Sequence, residues 1–289
     1  MSDERRGGAA PFDAMLGVYA RREPIVMLTA YDHPSARVVQ AAGADVVLVG
    51  DSAAMTVLGY ANTREISTDE LIMLTRAVRR AITSIPMVGD LPFGSYEPSD
   101  GNAVASARRF VDEAGCDAVK LEGAGAMLPR VRAIVAAGIP VIGHVGLLPQ
   151  SVTSPEGYRA RGRDVEQALD IVADAIALAD AGCIALIVEA VPRDVATLLT
   201  ERVPIPVIGI GAGAGTDGQV LVYHDLLGLG EGRLPRFVRQ YVNGRELLVE
   251  AAARWAADVR ARRFPVDAET YGIAPEALAD LRERLGRDG

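Results

Sequence analysis

Residues 117–151 read DAVKLEGAGAMLPRVRAIVAAGIPVIGHVGLLPQS. Two short aliphatic runs, Ala118 to Leu121 and Pro140 to Gly143, are bounded by Gly or Pro, and a helix-like segment lies between them. A short apolar run closed by turn residues is the pattern of a buried strand. Strand, helix, strand makes a right-handed βαβ unit, which returns the second strand parallel to the first.

The unit recurs outward in both directions. Strands are expected at Ile25 to Ala30, Asp45 to Gly50, Pro86 to Gly89, Ala185 to Val188 and Pro206 to Ile210, with a weaker eighth at Val220 to Tyr223. Helical spacing of apolar residues predicts helices over Thr68 to Ile82, with Thr68 as N-cap, over Ala103 to Ala114 and over Asp164 to Ala181. Seven or eight such units suit a closed (β/α)8 TIM barrel better than an open sheet. No low-complexity linker or charge block interrupts the chain, so residues 1–289 are read as a single barrel domain. The pattern turns helical from about 230, through Trp255 to about Arg263, with a polar tail beyond 265. The alternating Arg and Glu of those last helices read as a solvated face or a subunit contact, not a polyanion site.

Composition agrees and excludes other classes. The chain is 49% hydrophobic and 24% charged but only 5% aromatic, so the core is expected to be aliphatic, as around buried parallel strands. A net charge of -8 argues against general nucleic-acid binding. No stretch approaches the roughly 20 apolar residues that cross a bilayer, so no membrane partner is expected. The N-terminus, MSDERRGGAAPFD, is polar with no apolar run behind it, and a cytoplasmic location is expected. Cys116 and Cys183 each close an Ala-Gly-Cys turn between helix and strand and read as small core residues without disulfide or metal spacing. Of the 30 basic residues, Lys120 is the one lysine. A compact ammonium, or an amine able to lose its proton, is what Arg cannot supply there.

In a parallel barrel the active site lies where the strands end. Here the runs end on Asp51-Ser52, Asp90, Glu122, His144 and Glu189, so four carboxylates from four strands converge on one mouth. An Asp after a strand is commonly the N-cap of the next helix, but Glu is a poor cap and four carboxylates together repel one another. A cation or raised pKa values would relieve them, and single-carboxylate oxygen ligands with room for water suit Mg2+ better than zinc. Lys120 and Glu122, two apart on one strand, share a face. Lys120 therefore forms a buried ion pair, binds a substrate carboxylate or forms a Schiff base. His144 reads equally as a hydrogen-bonded rim histidine or a site residue. His33 and His224 lie outside ligand spacing. The run Gly209 to Gly215, GIGAGAG, is either a backbone cradle for a phosphate or pterin or a tight turn.

Taken together, TAYD at Thr29 to Asp32, VGDS at Val49 to Ser52, DLPF at Asp90 to Phe93, VKLEG at Val119 to Gly123, GHVGLLPQS at Gly143 to Ser151 and PVIGIGAG followed by TDGQ at Thr216 to Gln219 are the motifs of one family. From about Met15 to Pro265 the chain resembles the 3-methyl-2-oxobutanoate (ketopantoate) hydroxymethyltransferases. The resemblance implies a barrel of the phosphoenolpyruvate mutase and isocitrate lyase type, assembled as a homodecamer. It implies the first committed step of pantothenate synthesis, on the way to coenzyme A: hydroxymethyl transfer from 5,10-methylenetetrahydrofolate to 3-methyl-2-oxobutanoate. By the same motifs Asp51 and Asp90 are Mg2+ ligands with Glu122 at the metal directly or through water. Ser52 and Lys120 hold the keto acid, with Asp51, Asp90 and His144 around it, and Glu189 accepts the proton. The chain departs from the family pattern at Ala53-Ala54, where Leu-Gly is usual, at Asn62 for Asp, and at Ala124 for Gly. The alternatives are another metal-dependent 2-keto acid aldolase or lyase on the same barrel, and a barrel that binds without turnover.

Overall fold

The structure is a computed structural model that describes residues 11–154, 157–232 and 234–286. Residues 1–10, read above as polar and free of an apolar signal, lie outside the described residues. Eight parallel strands close into a barrel in chain order: β1 Ile25–Thr29, β2 Val46–Val49, β3 Met87–Asp90, β4 Ala118–Glu122, β5 Val141–Gly146, β6 Ala185–Glu189, β7 Val207–Ile210 and β8 Gly218–Leu221. β8 pairs with β1 and closes the cylinder, so every strand has two neighbours. The eighth strand begins at Gly218, ahead of the apolar run that predicted it, because Gly218 packs its bare Cα against Ile25 of β1.

The helices are α1 Asp13–Ala20, α2 His33–Ala41, α3 Ala53–Thr56, α4 Thr68–Arg79, α5 Asp100–Asp112, α6 Leu128–Ala136, α7 Val165–Asp180, α8 Arg193–Thr200, α9 Tyr223–Leu226, α10 Gly244–Arg260 and α11 Pro275–Leu285. Their starts are set by side chains that satisfy the first free N–H groups. Asp32 caps α2, Ser99 caps α5 and Asp164 caps α7. The cap of α4 is Ser67 and not Thr68: Ser67 accepts from Glu70 N–H while Glu70 reaches back, a reciprocal capping box.

Strand period two sorts the core into two layers. Inside the barrel, Ile25, Met27, Val46, Leu48, Val88, Ala118, Ile142, Ala185, Ile187, Ile208, Ile210 and Val220 form one buried cluster, completed by Phe12 and Met15 beside α1. The alternate residues, among them Val47, Val119, Leu121, Val141, Leu186 and Val207, face the helices and form the larger outer cluster. The core is aliphatic, as the composition requires.

The chain's contacts group into two compact units, Met1–Tyr241 and Val242–Gly289. In the second unit the helical pattern read from about 230 takes hold at Gly244, and the tail beyond 265 carries α11. Among the described residues no helix is long and apolar enough to cross a membrane.

Candidate active site

The inward alternation that fills the barrel with aliphatic side chains changes chemistry at the carboxyl ends of the strands. Val88 is followed two residues later by Asp90, Ala118 by Lys120 and then Glu122, Ile142 by His144, and Ile187 by Glu189, all on the interior face. Register then fixes neighbours: Asp90 stands opposite Lys120, Glu122 opposite His144, and Gly146 opposite Glu189. Asp51 follows β2, and its backbone N–H donates to Asp90 Oδ2 at 3.1 Å. None of the four carboxylates caps a helix; the structure brings all of them to one barrel end, as expected.

Lys120 lies among them. Its Nζ is 2.8 Å from Asp90 Oδ1 and 3.7 Å from Glu122 Oε1, with all three side chains buried. Burial opposes the charge on Lys120, but Asp90, Glu122 and Asp51 outweigh it and hold the amine above its ordinary value. These contacts fit Lys120 as a fixed ammonium in a buried ion pair at the mouth. Burial and neighbouring negative charge push Asp51 well above the usual carboxylate range; burial raises Asp90 as well, against the pull of Lys120. For Glu122, burial is outweighed by His144 and Lys120, and its carboxyl is held below its ordinary value.

His144 bridges two carboxylates. Nδ1 is 3.5 Å from Glu122 Oε1 and Nε2 is 3.3 Å from Glu189 Oε2, ion-pair distances whose geometry at Nε2 falls short of a hydrogen bond. Burial and Lys120 oppose a second proton on the ring, but Glu122 and Glu189 carry it up to about 9. An imidazolium at neutral pH thus orients Glu189, whose side chain keeps 15% exposure toward the mouth while His144 keeps 3%. The structure places His144 among the converging carboxylates at the barrel mouth.

Three further residues complete the site, and the sequence reading did not single them out. Gln150, from the short turn Pro149–Ser151 after β5, donates its side-chain amide to Asp51 Oδ2 at 2.9 Å and its backbone N–H to Glu122 Oε2 at 3.0 Å. Tyr96 pairs with the Gln150 carbonyl oxygen at 2.6 Å. Tyr31 pairs with Ser52 Oγ at 2.8 Å; burial pushes the Tyr31 hydroxyl up to about 12, so it is a neutral hydrogen-bonding group. Gln150 and Tyr31 lie inside the quoted motifs GHVGLLPQS and TAYD, which was the available signal.

The remaining candidates resolve structurally. Cβ atoms on the glycines of the 209–215 run would meet Phe237, Arg193, Thr197 and Thr216, so close packing of the turn requires glycine at these positions. Both cysteines are free and buried at helix-to-strand turns, away from the strand exits. Asn62 caps a short turn by accepting from Arg64 N–H, the task an Asp would perform. Ala53 and Ala54 are fully buried, and Ala124 has φ −122°, outside the left-handed region that favours glycine.

A divalent cation fits this donor set in chemistry. Asp90 Oδ1 and Glu122 Oε1 are buried oxygens without a hydrogen bond, although Lys120 lies within ion-pair reach of both. Among the described residues no three His, Cys, Asp or Glu groups converge as a ready ligand shell. The arrangement matches a hard cation held by one or two carboxylates, with water and substrate oxygens in the other positions.

Comparison with known proteins identifies the family and the fold. The family model for ketopantoate hydroxymethyltransferase matches residues 12–267. A 3-methyl-2-oxobutanoate hydroxymethyltransferase of Geobacillus kaustophilus (strain HTA426) is 48% identical over 259 residues, 90% of this chain and 93% of that one. Its counterpart in Moorella thermoacetica (strain ATCC 39073 / JCM 9320) is 51% identical over 245 residues, 85% of this chain and 91% of that one. Among solved structures, a phosphonopyruvate hydrolase complexed with oxalate and Mg++ shares the fold with a TM-score of 0.59 at 15% identity, over 96% of this chain and 98% of that one. A 2,3-dimethylmalate lyase, a member of the PEP mutase/isocitrate lyase superfamily, gives 0.56 at 16% identity over 98% of this chain and 99% of that one.

Proposed function

This chain belongs to the ketopantoate hydroxymethyltransferase family, and from that premise we propose that it transfers a hydroxymethyl group from 5,10-methylenetetrahydrofolate to 3-methyl-2-oxobutanoate. The products are 2-dehydropantoate and tetrahydrofolate, with one water consumed overall. The observation that carries this reading is the Glu189 carboxylate, oriented by His144 at 3.3 Å beside a fixed ammonium and three further carboxylates.

The keto acid must lose its C3 proton before it can attack a one-carbon unit. Glu189 is the base: it is the least buried of the inward carboxylates, and His144 holds its other side. Lys120 supplies a positive charge that needs no reorganisation as the enolate and the substrate carboxylate gather negative charge. Ser52, fixed by Tyr31, offers a hydroxyl to the same substrate end. Asp51 and Asp90, with Glu122 behind them, would hold a divalent cation, Mg2+ by its preference for carboxylate and water. When bound, that cation supplies Lewis acidity to the 2-keto acid oxygens. The methylene carbon exchanges its two bonds to folate nitrogens for one bond to the enolate carbon and one to the oxygen of the consumed water, and the C3 proton and one water proton end on the two released nitrogens of tetrahydrofolate. The same reading makes the enzyme a cytoplasmic homodecamer, which its mass in solution checks.

The test is exchange of the C3 proton of 3-methyl-2-oxobutanoate in D2O, followed by NMR with and without Mg2+ before any folate is added. Cation-dependent exchange, slowed at least about 100-fold in Glu189→Gln with keto-acid binding retained, is the expected result. Absence of exchange in the unmodified enzyme, or normal exchange in Glu189→Gln, overturns the assignment.

A further inference from the structure

Gln150 sits on the loop after β5, yet it is only 3% exposed: its side chain meets the ends of β2 and β3, and its backbone N–H meets Glu122 at the end of β4. The polarity of its contacts can be followed atom by atom. The backbone N–H of Glu122 can only donate, and it points at the Tyr96 hydroxyl at 3.3 Å. That hydroxyl has one hydrogen, and Gln150 Oε1 at 2.6 Å is nearer than the Glu122 carbonyl at 3.5 Å. Gln150 Oε1 is thereby fixed as the acceptor, so Nε2 faces the other way. There its two hydrogens meet two acceptors, Asp51 Oδ2 at 2.9 Å and Leu91 O at 3.0 Å. The amide's own backbone N–H takes Glu122 Oε2 at 3.0 Å.

One residue therefore engages one oxygen of each of two carboxylates that come from different strands. On Glu122 the consequence is visible: Oε2 accepts from the Gln150 backbone N–H, and Oε1, turned toward Lys120 and His144, is the buried oxygen without a hydrogen bond. We propose that Gln150 is the positioning residue of this site, presetting Asp51 and Glu122 for the divalent cation and keto acid, with Tyr96 fixing the sense of its amide. Gln150 touches neither substrate nor reacting atoms. Loss of an outer partner that orients ligating groups typically costs about 10- to 100-fold in metal affinity or activity. The inference rests on the functional reading above.

The experiment uses the full chain with Gln150→Met, which keeps the volume and removes the amide, and Tyr96→Phe, which removes a single hydroxyl. Mn2+ affinity is read by electron paramagnetic resonance, alongside thermal unfolding and a KM-against-kcat separation for the keto acid. Gln150→Met is expected to weaken Mn2+ binding about tenfold or more. Tyr96→Phe, which leaves the amide free to rotate, should show the same change in smaller degree, and in both variants KM for the keto acid should rise. Lowered melting temperature with unchanged Mn2+ affinity would make Gln150 a purely structural group and overturn the proposal, as would wild-type behaviour in both variants. If the unmodified enzyme shows no C3 exchange while the variants still lose Mn2+ affinity, the functional reading falls and the positioning role stands.

Discussion

Lys120 Nζ lies 2.8 Å from Asp90 Oδ1, and the two residues are register partners on adjacent strands of the barrel. The chain's one lysine is thus placed by backbone pairing beside its counter-ion, and Glu122, two residues along the same strand, closes the other side at 3.7 Å. A guanidinium is a broad planar fork; an ammonium is a compact point charge that fits between two carboxylates in a buried space. That geometry accounts for a single Lys in a chain that otherwise uses Arg. It also makes the amine a poor nucleophile, since the surrounding carboxylates keep it protonated.

Removing that charge should therefore cost stability as well as activity. In Lys120→Met the volume is kept, but Asp90 loses its buried counter-ion and Asp51, Asp90 and Glu122 are left crowded, with His144 beside Glu122 alone. Breaking one side of a buried ion pair costs about 3–5 kcal/mol, because the remaining charge has lost its solvation. Urea unfolding without divalent cation should show that loss in the midpoint, and added Mg2+ should recover part of it. An unchanged midpoint would mean that the ion pair contributes nothing to the fold.

The buried thiols set a pH dependence at the alkaline end. Burial pushes Cys183 up to about 12 from its ordinary 9.0, and burial with Asp117 raises Cys116 against the pull of Arg79. The folded chain thus keeps these protons where the unfolded chain has released them. The stability that Cys183 contributes is whole below about pH 9 and is lost as the pH rises toward 12. A thiol reagent should label neither cysteine in the native protein and both after denaturation. Cys183→Ala should make the alkaline fall of the unfolding free energy shallower; equal slopes would remove the thiol from the account.

Much of this architecture is legible in the sequence because buried parallel strands announce themselves as aliphatic runs between Gly and Pro. The candidate site residues inherit that legibility: Asp90, Lys120, Glu122, His144 and Glu189 are the next inward positions after apolar residues on the same strands. What sequence position conceals is convergence from loops. Gln150 lies 99 residues from Asp51 and Tyr96 lies 26 from Glu122, and a polar side chain in a loop reads as solvated until the fold buries it. Helix caps are ambiguous for a related reason. Ser67 and Thr68 are adjacent hydroxyl residues, and only the return contact from Glu70 selects the first. The glycine run from Gly209 to Gly215 reads as a cradle or a turn, and its close packing against Phe237 and Arg193, distant in sequence, appears only in the fold.

Glu189 depends on a glycine. Gly146 ends β5 directly opposite Glu189 in the register, with φ 94°, a conformation that side chains strongly disfavour. A Cβ there would collide with the backbone carbonyl oxygen of Glu189, and with Val191 Cγ2 at 2.6 Å. Neither obstacle is a flexible side-chain end that can swing clear of the backbone, so the end of β6 must move. Gly146→Ala should lower stability by about 2 kcal/mol or more through backbone strain and the displaced strand. The larger effect should fall on chemistry, because a base moved by about 1 Å loses on the order of 100-fold in rate. Exchange of the keto acid's C3 proton should drop by that factor, with Mn2+ affinity close to wild type since Asp51 and Asp90 lie on the far strands. Gly138→Ala is the matched control: its φ is also positive at 80°, but no atom lies within 4 Å of the added Cβ. It should carry the conformational cost and leave exchange unchanged. If both variants lose exchange equally, general destabilisation is responsible and the close approach of Gly146 to Glu189 is not what positions the base.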